Sequence, residues 1–184
     1  MKFAIKLILI LAIVLSCKQE RTDPFLIQSN QIGQLTDSTQ VGELDLVFPN
    51  DSVSTFIGGD EFTGKINDIE IYETSGKKLL VLTPFEALDS TSTIKTIRVI
   101  DSRFKTPDGI SSTSTFGEIR KNYKISGIQN SLRNIIVSVD DINAYFTIDK
   151  SELPPNMRYD INLKIDPIQI PDKSKIKDFY IQWY

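Results

Sequence analysis

Apolar side chains recur at every second position along much of this chain, and that spacing is typical of strands with one buried face. The pattern occurs in six segments: 69–71, 97–99, 135–139, 144–148, 161–165 and 179–183. The composition agrees, because 27 isoleucines stand against only 4 alanines, and alanine is the best helix former. We therefore expect a sheet-dominated α+β domain with about six to eight mostly antiparallel strands.

Two local signals add detail to this expectation. Gly76 lies in the turn sequence Thr74–Lys77, between two apolar segments, which predicts a hairpin because glycine supplies the positive φ of such turns. Thr115 and Glu118 have the spacing of a capping box, in which each side chain satisfies a free amide at a helix start. The sequence therefore predicts one short helix near residues 115–123.

The C-terminal segment indicates a candidate binding surface. Phe179, Ile181 and Trp183 share one face of the predicted strand, so the tyrosines between and after them belong to the other face. Tyr145 stands in the same relation to its apolar neighbours. Aromatic side chains on an open sheet face stack on sugars or peptides, although half-exposed tyrosines are also ordinary in strands. The candidate surface is Tyr145, Tyr180 and Tyr184.

The N-terminus has the pattern of a secretory signal. Lys2 and Lys6 give it a positive start, and Leu7–Leu15 is an uninterrupted run of nine apolar residues. This run is too short for a membrane-spanning helix, which needs about 20 apolar residues. A buried amphipathic helix would carry polar positions at 3.6-residue spacing, and the run has none.

The four residues Val14-Leu15-Ser16-Cys17 resemble the lipobox of bacterial lipoprotein precursors, although Leu is commoner than Val at the first position and a smaller residue than Leu at the second. The resemblance implies cleavage between Ser16 and Cys17, a diacylglyceryl group on the Cys17 thiol, and acylation of the new amine. The acyl chains would then be the contact with the membrane. Lys18 after the cysteine resembles the sorting pattern of outer-membrane lipoproteins, with the periplasmic face favoured over the cell surface.

These features divide the chain into three parts. Residues 1–16 are predicted to be a signal peptide, residues 17–40 a lipidated N-terminus and tether, and residues 41–184 the globular sheet-rich domain. Within the polar tether, Phe25–Ile27 is apolar enough for us to expect that it docks on the domain.

Composition excludes much chemistry. The chain has no histidine and one cysteine, which rules out histidine bases, histidine-ligated zinc, thiolate metal cages and disulfides within the chain. It has 21 basic and 24 acidic side chains, with the basic ones scattered, so nucleic-acid binding is not expected. We predict no catalytic residue, no metal ligand and no cofactor.

The most consistent function is a lipid-anchored envelope protein that acts as a non-catalytic binding or assembly module for an envelope protein or a glycan. Two alternatives stay open: a secreted inhibitor, and a small envelope hydrolase that uses acidic residues. Candidate acids are Asp60-Glu61, Asp140-Asp141 and the segment 149–152. A hydrolase requires acids that converge in a cleft, with at least one raised carboxyl pKa, whereas a binding module requires only a shaped apolar or aromatic patch.

Overall fold

The structure is a computed structural model that describes residues 23–58 and 66–184. In this part of the chain, eleven strands form two antiparallel sheets. The smaller sheet contains β1 (Ile27–Gln28), β2 (Gln31–Ile32) and β3 (Leu35–Thr36). The larger contains β4 (Ser52–Gly58), β5 (Ile66–Tyr72), β6 (Lys78–Pro84), β7 (Ile94–Val99), β8 (Gly127–Asn130), β9 (Asn134–Val139), β10 (Ala144–Asp149) and β11 (Asp178–Gln182). The α helices are α1 (Leu44–Val47) and α2 (Phe116–Asn122).

The strand order of the larger sheet is β4-β5-β6-β7-β11-β10-β9-β8. The C-terminal strand β11 therefore lies inside the sheet, between β7 and β10. Phe179 pairs with Val99 on one side and with Phe146 on the other. All neighbouring strands of this sheet are antiparallel. The sheet-dominated α+β class is confirmed, but eleven strands exceed the six to eight expected, in part because β1, β2 and β3 are only two residues long.

One face of the larger sheet carries the core. A continuous buried row crosses it: Ile71, Leu80, Val99, Phe179, Phe146 and Val137. The helix α2 contributes two fully buried side chains, Phe116 and Ile119, to the same cluster. Burial of a large apolar side chain stabilises a fold by about 1.5–3 kcal/mol, so this face contributes much of the stability.

The helix α2 and the hairpin between β5 and β6 form as predicted. The Thr115 backbone amide donates to Glu118 Oε2 at 2.6 Å, and the Glu118 amide donates to Thr115 Oγ1 at 3.4 Å. Gly76 has a φ of +84° in the hairpin turn, which is the conformation that favours glycine. Gly117 has a different role, since a Cβ there would lie 2.7 Å from the Cβ of Asp172.

The prediction of a tether is wrong for residues 23–40. Ile27, Ile32 and Leu35 are at most 1% exposed and belong to the core cluster. The smaller sheet buries them, and Trp183 Nε1 donates to the Ser29 carbonyl at 2.8 Å, which ties this segment to the C-terminus. The expected docking of Phe25–Ile27 is confirmed, with the Phe25 ring centroid 5.0 Å from that of Phe104.

The prediction of a strand at 161–165 is also wrong. The segment forms a turn and an irregular stretch in which Ile161 is 48% exposed and only Ile165 is buried. Asp160 Oδ1 accepts a hydrogen bond from the Asn162 amide at 2.8 Å, which is a turn stabilised by the side chain. Alternation alone does not distinguish this conformation from a strand.

No helix in residues 23–58 and 66–184 has the length and apolar character needed to cross a bilayer. The predicted signal peptide, Ser16 and the lipid-attachment residue Cys17 lie outside the described residues.

Candidate functional site: the tyrosine face of the sheet

The second face of the larger sheet carries polar and aromatic side chains in register. Because strand pairing fixes which residues stand side by side, one row can be followed from edge to edge. Its members are Ser54, Glu70, Val81, Arg98, Tyr180, Tyr145, Ser138 and Gly127. We call this side of the sheet the tyrosine face.

Tyr145 and Tyr180 are direct cross-strand neighbours at the middle of this row. Their ring centroids are 4.6 Å apart and the rings are within 9° of parallel. Both side chains are half-buried. Burial raises the pKa of Tyr145 to about 12, and burial also raises the pKa of Tyr180. Both hydroxyls are therefore neutral and able to donate hydrogen bonds at any physiological pH.

The two sides of the tyrosine pair differ. Tyr180 is flanked by Arg98, whose Nη1 lies 3.7 Å from Asp178 Oδ1. Asp178 Oδ2 also accepts a hydrogen bond from Thr147 Oγ1 at 2.8 Å. On the Tyr145 side, the next residues in the row are small, Ser138 followed by Gly127. One ring face of Tyr145 is therefore covered by Tyr180, and the other borders a shelf of small residues.

A pocket of about 280 Å³ adjoins Tyr145 at the ends of the strands. Its lining is Ser138, Val139, Asp140, Asn143, Ala144, Tyr145, Gln182 and Tyr184. We call it the tyrosine pocket. Tyr184 is 92% exposed and forms a second aromatic surface at its mouth. The remaining side chains supply hydroxyl, amide and carboxylate groups, and the lining contains one acid and no basic residue.

The polar groups of the tyrosine pocket are held by local structure. Asn143 adopts the left-handed conformation, with a φ of +51°, in the tight connection between β9 and β10. The backbone carbonyl of Asn143 accepts a hydrogen bond from the backbone amide of Gln182 at 2.8 Å. Asp140 Oδ1 accepts a hydrogen bond from Ser126 Oγ at 2.7 Å. A ligand would therefore meet groups whose positions are already set.

The structure brings the three predicted tyrosines together. Tyr145 and Tyr184 line the same pocket, and Tyr180 supports the Tyr145 ring from behind. Sequence reasoning did not assign Ser138, Asn143 or Gln182 to this site. The sequence shows Asp140 only as an acid at a strand end, because the place of Asp140 and Tyr184 in one pocket depends on the order of the strands.

A second pocket, of about 170 Å³, bears on the hydrolase alternative. Two carboxylates, Asp51 and Glu73, line it together with the rings of Phe25, Phe48 and Phe104. Burial and the neighbouring charge of Glu73 raise the pKa of Asp51. Hydrogen bonds from Ser75 and Arg103 lower the pKa of Glu73. We call this pocket the carboxylate pocket.

The acids proposed from the sequence do not form this second site. Asp60 and Glu61 lie outside the described residues, and Asp140 belongs to the tyrosine pocket. The Asp149 carboxylate accepts from the Ser151 amide at 2.9 Å, a bond that lowers the Asp149 pKa. No group of three acidic or cysteine side chains within residues 23–58 and 66–184 is arranged to hold a metal ion.

Comparison with known proteins identifies the fold only. No protein-family model matches the chain, and no curated protein matches its sequence. A solved structure, that of the uncharacterised protein yfeY from Escherichia coli, superposes with a TM-score of 0.57. The match covers 85% of this chain and 99% of that chain at 14% sequence identity. This likeness shows a shared architecture.

Proposed function

We propose that the protein is a lipid-anchored component of the bacterial outer envelope, on the periplasmic face of the outer membrane, and that its tyrosine pocket binds a glycan without cleaving it. The observation that carries the binding proposal is the half-buried Tyr145 ring, which stacks on Tyr180 and lines a pocket of hydroxyl, amide and carboxylate groups. Ligand sites combine an apolar or aromatic surface with a few fixed polar groups in this way.

The chemistry of the tyrosine pocket favours a neutral pyranose. The flat apolar face of a sugar ring stacks on an aromatic ring, and its hydroxyls match the side-chain amide of Gln182, which both donates and accepts. Asn143 offers its Oδ1 as an acceptor, because its Nδ2 donates to the Ser29 carbonyl and to Asn30 Oδ1. Because Asp140 is the only charged side chain in the lining, an acidic sugar would meet repulsion without a compensating cation. A volume of about 280 Å³ is near the lower limit of small-molecule sites, which suits one or two sugar rings.

Binding is tested with the full lipidated chain in detergent, titrated calorimetrically with chitotetraose and maltotetraose as neutral probes. Tyr145→Ala is expected to weaken binding tenfold or more, because it removes the stacking surface. Tyr145→Phe keeps the ring and is the matched control, with affinity close to that of the unaltered protein. Equal affinity in the Ala and Phe variants, or no binding of either probe, would contradict the glycan proposal.

The membrane anchor is supported by the positively charged start, the apolar run Leu7–Leu15 and the lipobox-like residues that end at Cys17. Metabolic labelling with palmitate followed by membrane fractionation tests it. Cys17→Ala should abolish labelling and leave the precursor out of the outer-membrane fraction. Outer-membrane fractionation of the alanine variant would exclude anchoring through Cys17.

The carboxylate pocket favours a second candidate, an envelope hydrolase. The pKa of Asp51 is raised and the pKa of Glu73 is lowered. Two carboxyls whose pKa values are shifted apart in this way can act as a proton donor and an ionised partner. In this function Asp51 would donate a proton and Glu73 would stay ionised. Incubation of purified peptidoglycan with the full chain tests it: product release that Asp51→Asn abolishes would favour hydrolysis, and no release would favour the binding module.

A further inference from the structure

The two edge strands of the larger sheet differ in whether another segment covers their outer side. The edge strand β8 has four residues and is flanked by the segment 161–165, which forms a shared cleft with it. Asn130 Nδ2 donates to the carbonyls of Asp160 at 2.9 Å and Leu163 at 3.0 Å, so the neighbouring loop is fastened to β8. This edge is therefore shielded by another segment of the same chain.

The opposite edge strand, β4, is longer than β8 and pairs regularly along its length. All seven of its residues, Ser52–Gly58, pair with β5 on one side. No strand in the described parts of the chain pairs with its other side. Ser52, Ser54 and Thr55 are exposed, and the seven residues include no charged residue and no proline.

Natural sheets protect their edges with lysine, proline, bulges, short strands or a covering segment, because an open edge presents unpaired amides and carbonyls. The β8 edge uses two of these devices. β4 has no lysine or proline, and its pairing with β5 is regular, since the register shifts of the sheet lie elsewhere. Within residues 23–58 and 66–184, no strand covers its outer side. A row of unpaired backbone amides and carbonyls forms hydrogen bonds with another extended strand. The expected partner of β4 is therefore a β-strand.

We propose that β4 pairs antiparallel with β4 of a second copy of this chain, about a two-fold axis at Thr55. In this arrangement Ser52 faces the partner's Gly58 and Thr55 faces the partner's Thr55, so no charge is brought to the interface. Asp51 immediately precedes the strand, and antiparallel pairing places the two Asp51 side chains at opposite ends, whereas parallel pairing would align them. Like charges directly opposite each other destabilise a strand pair.

The pairing closes on itself. A two-fold contact uses the β4 edge of both copies, and the edges that stay outermost are the shielded β8 strands. The result is a dimer with a continuous sheet of sixteen strands rather than a growing fibre. Because the axis is perpendicular to the sheet, both tyrosine pockets lie on the same face, eleven strand spacings or about 50 Å apart before twist is considered. A dimer would then hold a glycan surface at two points, and linked sites raise avidity.

The first test is a disulfide across the axis, formed by mild oxidation of envelope membranes that contain the full-length chain. Thr55→Cys places two thiols on strands whose Cα atoms are about 4.5–5.5 Å apart at such positions, within the range that a disulfide spans. We expect a band of twice the monomer mass. Gln129→Cys, an exposed residue on the β8 edge, is the matched control and should stay monomeric.

Absence of the Thr55→Cys dimer in a protein with an unchanged circular dichroism spectrum would overturn the proposal, as would equal crosslinking at Gln129. A crosslink from Thr55→Cys to a different protein would also overturn it, in favour of a heterologous strand. The second test is mass photometry of the detergent-solubilised chain: Thr55→Lys should weaken the dimer at least tenfold, and Gln129→Lys should leave it unchanged. Tyr145→Ala should stay dimeric, which separates this proposal from the glycan proposal.

Discussion

Strands β10 and β11 carry two aromatic pairs, one on each face of the sheet. Phe146 and Phe179 stack with centroids 4.6 Å apart and are fully buried, whereas Tyr145 and Tyr180 stack at the same distance and are half-buried. The two pairs are adjacent in sequence and differ mainly in what covers them. The same cross-strand geometry therefore forms core on one face and a half-exposed aromatic surface on the other.

The phenol hydroxyls account for part of this difference. A buried phenylalanine pair has no polar atom to satisfy, so Phe146 and Phe179 are buried without penalty in the core cluster that also includes Phe116 and Ile119 of α2. Tyrosines need a wet or hydrogen-bonded end, and Tyr180 has Arg98 and Asp178 beside it on the tyrosine face. Substitutions in the phenylalanine pair should therefore change mainly the stability of the fold, and substitutions in the tyrosine pair mainly the binding of a ligand.

The largest effect is expected on the buried pair. Phe146→Ala should lower the free energy of unfolding by about 3–5 kcal/mol, because it leaves a cavity in a fully packed row. Urea denaturation followed by tryptophan fluorescence measures it, since Trp183 is itself buried. Tyr145→Ala, one residue away on the open face, should cost only about 1 kcal/mol. Similar losses for the two variants would mean that the tyrosine face is covered and is not a free surface.

A smaller effect is expected where α2 covers the buried face. Thr115→Ala removes the side-chain cap of the helix and should lower the free energy of unfolding by about 1 kcal/mol. The same urea titration measures this loss, and Thr115→Ser, which keeps the hydroxyl, should recover most of it. Probe binding at the tyrosine pocket should be unaffected by either change. Weaker binding in Thr115→Ala would show that the two faces are coupled.

The last effect is confined to alkaline pH and to the tyrosine pair. Burial raises the pKa of Tyr145 from 10.0 to about 12, so the folded protein keeps a proton that the unfolded chain loses in this range. The contribution to stability is complete below pH 10 and is lost as the pH rises towards about 12. Tyr145→Phe should show a shallower alkaline loss of stability in urea titrations across this range. An identical pH dependence in both proteins would contradict the burial of this hydroxyl.

The alternation in β9, β10 and β11 was sufficient to assign the buried and open faces of these strands, because a strand has a side-chain period of two. The position of Tyr145 on the face opposite Phe146 followed from that period. The contact between Tyr145 and Tyr180 did not, since it requires β10 and β11 to be neighbours in a particular register.

Two segments show where the pattern fails. Residues 161–165 alternate but form no strand, because the local turn at Asp160 removes them from the sheet. Residues 23–40 look like a polar tether, yet three scattered apolar side chains, Ile27, Ile32 and Leu35, are enough to bury the segment. A local turn decided the first segment and contacts distant in sequence decided the second, and apolar periodicity carries no information about either.

The amino-acid sequence was enough to predict the sheet-rich class, the capped helix, the hairpin at Gly76, the face of each tyrosine and the exclusion of histidine and disulfide chemistry. These depend on residue identity and on local geometry, which neighbours in the chain define. Strand order and register were needed to show that Tyr145 and Tyr184 line one pocket and that Asp51 and Glu73 line another. They were also needed to show that, within residues 23–58 and 66–184, no strand pairs with the outer side of β4 while a loop flanks β8. Each of these brings together residues far apart in sequence, and the order and register of the strands set such pairings.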